Sequence, residues 1–197
     1  MEVKEHRFIL FFLFVGAILG TLILYFSAWA LSLPLVLDSQ FTILVAVFLG
    51  PSIGAALGFV VGILIVVLSD FPPEYSWLIL SQIGLGLGLG FAFRQRAILT
   101  FHKGIPLATL SLVLWVVYET TVSYFLLFDK IGGYEDPLGI TLTLAGLPLP
   151  IALLIGSLSR RSIETVIALF VAHILGSTHY GQELLALGYT DSVRGKS

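Results

Sequence analysis

Glu119 lies in the run LVLWVVYETTVSYFLLF, an acid set well inside a long apolar segment. An ionisable side chain in hydrocarbon costs about 2.5–3.5 kcal/mol on insertion scales, so it marks a function or a partner by default. At helical spacing Trp115, Val116, Val122 and Ser123 share its face, Tyr118 adjoins it, and Ser111 extends the stripe by two turns. A carboxylate beside tryptophan and tyrosine can hold an amine or another cation by charge and ring contact. The same acid can instead be protonated, or paired with Gln82 or a threonine, and simply lock two helices. From the residues alone both readings stand.

Other polar groups gather toward the same end of the chain's apolar segments. Gln82 falls about six residues below the end of its own run, and Asp38, Ser39, Gln40 and Thr42 line the approach to the next one. Tyr75 and Trp77 are on that side too, where an interfacial aromatic belt explains them equally well. The candidate solute-binding set is therefore Glu119, Tyr118, Trp115, Gln82, Asp38 and Gln40. His6 and His102 sit in basic loops, and His173 and His179 lack a metal-binding spacing, so no metal or cofactor is expected. The chain has no cysteine, which removes disulfides, thiolate zinc sites and thiol nucleophiles. No G-x-S-x-G elbow, P-loop or dinucleotide fingerprint occurs, and Glu119 has no second acid beside it, so an enzyme is not expected.

The elements that carry these residues follow from composition. Of 197 residues, 57% are hydrophobic and 11% charged, and the mean hydropathy is +1.02. A soluble domain carries about 25% charged residues, and a chain this short could not bury so much apolar surface in one core. The reading is all-α and membrane-embedded, and a net charge of -2 gives no basic field for nucleic acid. Long apolar runs cover 8–33, 52–69, 76–93, 104–128 and 138–158, with shorter ones at 41–49 and 163–175. A span needs about 20 residues. Counting 41–49 as a short second crossing, separated from the third by a break at Gly50-Pro51, predicts six transmembrane helices.

The first run is much longer than the apolar core of a cleaved leader, so it is read as a span. Residues 1–177 are expected to form one integral domain, followed by a polar tail over 178–197. The run 163–175 is open between an interfacial helix, an extension of the sixth span and a seventh span. Basic residues set orientation. Lys4 and Arg7, then Arg94, Arg96, His102 and Lys103, then Arg160 and Arg161 alternate with loops holding Asp38, Asp70 and Glu74, and Asp129, Lys130, Glu135 and Asp136. This predicts a multi-pass cell-membrane protein with a cytoplasmic N-terminus and Glu119 roughly 13 Å below the outer surface.

Glycine adds a second pattern. Gly50, Gly54, Gly58 and Gly62 recur every four residues, and Gly84, Gly86, Gly88 and Gly90 alternate with leucine. Each helical glycine costs about 1 kcal/mol relative to alanine, a density tolerable where backbones approach closely. Glycine-rich helix packing is therefore expected. Gly16 and Gly20 form a further pair in the first run, suited either to packing or to contact with another subunit.

The stretch DSQFTILVAVFLGPSIGAALGFVVGIL at 38–64 resembles the substrate-binding S components of energy-coupling-factor (ECF) transporters. In that family a polar loop residue after the first span precedes a short apolar helix and a G-P-x-x-G-A-x-x-G opening, places held by Gly50, Pro51, Gly54, Ala55 and Gly58. The resemblance implies a six-span subunit that captures a vitamin, a vitamin precursor or a metal ion from outside, and the residues point among these to a vitamin-like or nitrogenous solute. It implies delivery through a transmembrane coupling subunit driven by two ATP-binding subunits. It also implies a docking face on small residues of the first helix. The family's alanine pair is missing there, and Gly16 and Gly20 are the nearest equivalents. The alternative function is a membrane-embedded sensor or scaffold without transport.

Overall fold

The computed structural model describes residues 3–31, 38–71, 73–93, 103–127 and 137–194, and among them the chain is helical with no strand. The helices are α1 (Val3–Ala30), α2 (Gln40–Leu49), α3 (Pro51–Leu68), α4 (Trp77–Ala92), α5 (Ile105–Leu127), α6 (Pro137–Leu144), α7 (Leu149–Gly176) and α8 (His179–Arg194), with a 3-10 turn at Pro73–Ser76 before α4. Apolar side chains face outward along much of their length, including Phe8, Phe12 and Ile23 on α1, Val67 on α3 and Phe125 on α5. Such a surface is stable in lipid and not in water.

Helix ends follow local chemistry. Gly50 takes φ +97°, a backbone region open to glycine, and Pro51 starts α3 where its missing donor is harmless. α3 ends at Asp70 in a left-handed conformation, with the Phe71 N–H donating to the Val66 carbonyl. α6 closes on Gly146 in the same way, and Pro148 directs the chain into α7.

Neighbours run antiparallel. Along α3 and α4 a Cβ added at Gly58 would collide with the Gln82 carbonyl, one at Gly62 with Ile79, one at Gly86 with Gly54, and one at Gly90 with Pro51. Each approach is backbone against backbone or nearly so, so these glycines set the interhelical distance. Further on, Gly84 faces the Trp115 ring and Gly88 the Ser111 hydroxyl, which fixes the register of α4 against α5. α2 is the most enclosed element, with Ile43 and Ala46 fully buried, and it packs against α1, α3, α4, α7 and α8.

The helix bounds bear on several expectations. Among the described residues, three helical segments are long and apolar enough to cross a membrane, Phe8–Ala28, Pro51–Leu68 and Ile105–Phe125, or four if the pair Leu149–Gly176 and His179–Ala186, bent by 102°, is one span. Six crossings are thus not shown: α2 rises only about 15 Å, a length suited to a buried core helix. The run 138–158 is not one helix, because α6 stops at Leu144 and α7 begins at Leu149. The run 163–175 continues α7 without interruption, which selects the extension among the options. The residues after Ser177 form α8 as far as Arg194, with Leu185 buried in the main core.

Candidate functional site

The centre of the molecule holds a cluster of charges. Asp38 ends the connection after α1, Ser39 and Gln40 open α2, Ser81 and Gln82 lie one turn into α4, Glu119 is in the second half of α5, and Arg160, Arg161 and Glu164 occupy the middle of α7. Arg161 and Glu164 are 0% exposed and Glu119 is 1% exposed. Arg161 and Glu164 lie three residues apart on one helix face, which lets one guanidinium address acids from its own helix and from two other segments.

Arg161 is the hub. Its Nε and Nη2 donate to the Glu119 carboxylate at 3.0 and 2.6 Å, while Nη1 reaches Asp38 Oδ1 at 3.1 Å and Glu164 Oε2 at 2.7 Å. Arg160 Nη2 reaches the second oxygen of Glu119 at 3.3 Å. The Ser81 hydroxyl donates to Glu119, and the Ser39 hydroxyl to Glu164 Oε2 at 2.6 Å, away from the capping role its position offers. Gln82 donates to Asp38 Oδ2 at 2.9 Å and Gln40 to the Glu164 backbone carbonyl at 3.0 Å. A planar guanidinium with five donors suits this many acceptors where a lysine would not.

The network is not complete. Gln82 Oε1 and Glu164 Oε1 are buried with no hydrogen-bond partner among the described residues, and so is the Thr42 hydroxyl. An unmade buried hydrogen bond costs about 1–3 kcal/mol. Asp38, Glu119 and Glu164 against Arg160 and Arg161 also leave one formal negative charge. Both features ask for a donor.

Of the sequence-derived candidates, Glu119, Gln82, Asp38 and Gln40 meet in this cluster. Trp115 and Tyr118 do something else: their rings pack edge-to-face at 5.3 Å, Trp115 lies over Gly84, and Tyr118 joins Tyr75, Trp77 and Leu78. Tyr75 and Trp77 are buried there, not set in an interfacial belt. Gly20 receives the Phe41 ring of α2, whereas Gly16 faces open space. Among the described residues no group of three histidine, aspartate or glutamate side chains is placed to hold a metal. His179 pairs with Glu183 at 3.2 Å on the exposed face of α8.

Sequence reasoning missed Arg160, Arg161 and Glu164. The basic-residue pattern puts the arginines in a cytoplasmic loop and Asp38 at the outer mouth, yet Arg161 and Asp38 touch, so these residues do not mark opposite sides of a membrane. Glu164 is a second deeply buried acid. The available signal was the i, i+3 and i, i+4 spacing of Arg161, Arg160 and Glu164 in a stretch with no proline after Pro150, which reads as ion pairing inside a helix. Arg94, Arg96, His102, Asp129, Lys130, Glu135 and Asp136, also used for orientation, lie outside the described residues.

No protein-family model matches the chain, and no curated protein or solved structure matches it at a significant level.

Proposed function

We propose that this chain is a membrane-embedded solute-binding subunit of the S-component type, serving uptake of a small nitrogenous, vitamin-like solute with separate coupling and ATP-binding subunits. One observation carries the reading. Gln82 Oε1 and Glu164 Oε1 are buried acceptors without donors among the described residues, in a polar network drawn from four helices and a connecting loop. Acceptors call for N–H or O–H groups, and an amine, amide or heteroaromatic ring presents several on a small frame. The surplus negative charge favours a neutral or cationic solute over an anion. Glu119 itself is engaged by Arg160, Arg161 and Ser81, so its part is to hold Arg161 in place. In this reading the six-helix count, with α2 as a short second crossing, and the docking role of Gly16 carry over from the family resemblance.

The test is a thermal-shift panel of vitamins and nucleobases on the purified full-length chain. A binder at a hundred times its Kd adds about 2.7 kcal/mol to stability. Gln82→Leu should abolish that shift. A panel without hits, or a shift that survives Gln82→Leu, would overturn the proposal.

A second reading has its own support, because Arg161 bonds three carboxylates from three parts of the chain and so resembles a lock. In that case the protein is a sensor or scaffold. Co-purification separates the two: a coupling subunit with ATPases supports uptake, and a kinase or envelope protein supports the lock.

A further inference from the structure

Between α5 and α7, beside the charge cluster but not part of it, lies a cavity of about 660 Å³. Ligand sites run from about 300 to 1,000 Å³. Its walls are apolar, with Ala108 and Leu112 from α5 and Val166, Leu169 and Phe170 from α7. Antiparallel pairing of the two helices makes it elongated: Leu112 and Ser162 line one end, and Ile105 and His173 line the other. From Thr165 to His173 it follows α7 for eight residues, about 12 Å.

Thr165 lines this cavity, is 6% exposed, and its hydroxyl has no hydrogen-bond partner among the described residues. Thr42 and Thr120 share this state but do not line the cavity, whereas two other helical threonines bond locally. Thr21 donates to the Ala17 carbonyl and Thr143 to the Gly139 carbonyl, each at 2.9 Å and four residues back. Thr165 leaves that local bond unmade although its own helix offers it. Ser162, one turn earlier, adds a second hydroxyl to the same end.

We infer that this groove binds a single-chain amphiphile with a neutral head group, a protonated fatty acid or a fatty alcohol, with its head-group oxygen on the Thr165 hydroxyl and its chain along Leu169 and Phe170 toward Ile105. An extended peptide segment would bring backbone N–H and C=O groups that the apolar walls cannot satisfy. An alkyl chain brings none, and a head-group oxygen at one end answers the buried Thr165 hydroxyl, with Ser162 beside it. The inference is independent of the solute-binding proposal, since it uses none of the charged residues.

The probe is a diazirine-bearing palmitic acid, cross-linked to the full-length chain in phosphatidylcholine nanodiscs and mapped by peptide mass spectrometry. Labelling should saturate, concentrate on 105–112 and 162–173, and yield to unlabelled palmitic acid. Thr165→Val should weaken it about five-fold, the worth of one neutral hydrogen bond. Val166→Trp, at a position 66% exposed and so tolerant of size, should abolish it by filling the groove, while Leu114→Trp on the outer face of α5 should not. Labelling that never saturates, that spreads to Leu114 and Phe125, or that is indifferent to both Thr165→Val and Val166→Trp overturns the inference. So does equal displacement by added diacyl phosphatidylcholine, which would make the groove an ordinary lipid contact.

Discussion

Arg161 decides the energetics of the centre. A buried ion network is weak evidence for stability as such, because desolvation offsets much of the attraction, but removing one member leaves uncompensated charge. Arg161→Leu would take the paired cation from Asp38 and Glu164 and leave Glu119 to Arg160, and should cost about 3–5 kcal/mol, read as a lowered unfolding midpoint in detergent. Glu164→Gln should behave oppositely. It removes the surplus negative charge, and stability should stay within about 1 kcal/mol of the parent, since the weakened bonds to Ser39 and Arg161 are offset by the lost repulsion from Asp38. If Glu164→Gln proved as damaging as Arg161→Leu, the charge count would be the wrong description of this site. Four of the six candidate binding residues were legible from the sequence because each was a polar group in an apolar run. The arginines were equally visible, but positive charge after an apolar run reads as a loop unless the helix is known to continue.

At the level of elements, close approach is what the glycines of α3 and α4 contribute. A Cβ on Gly86 would meet the Gly54 carbonyl group and the Ala55 nitrogen, backbone atoms that move only if the helices part. Gly86→Ala should therefore lower stability by about 1–3 kcal/mol despite alanine's better helix propensity. Gly16→Ala meets nothing within 4 Å and should raise stability by up to about 1 kcal/mol. Comparing the two melting midpoints isolates packing from propensity, and equal effects would refute the packing account. The four-residue spacing of Gly50 to Gly62 marked a helix face without naming its partner. Only the fold shows that Gly54 and Gly58 meet α2 and α4, and that Gly20 accommodates Phe41 within the chain.

For the whole molecule, the alternation of helix direction makes a labelling prediction. The Tyr25 hydroxyl accepts from Ser69, so α1 and α3 end together, near the start of α4, while α7 runs back toward the start of α5. Ser76 and Tyr180 are both exposed and belong to opposite ends of this arrangement. Because the chain has no cysteine, single substitutions Ser76→Cys and Tyr180→Cys give clean reporters. A membrane-impermeant maleimide on intact cells should label one of them, and the other only after permeabilisation. Labelling of both from one side would rule out a membrane crossing between the two ends.

What the sequence by itself determined was the solvent and the punctuation. Apolar run length requires lipid, and Gly50-Pro51 and the Gly146 to Pro148 segment end helices through backbone sterics that act within a few residues. What only the tertiary structure decided was which charges share a site. Asp38, Glu119 and Arg161 are separated by 81 and 42 positions, and their encounter depends on the helix register set by glycine contacts, not on any local propensity. Ion pairing across such distances leaves no periodicity to read, so the same arginine that looked like a marker of the membrane's inner face became the centre of the protein.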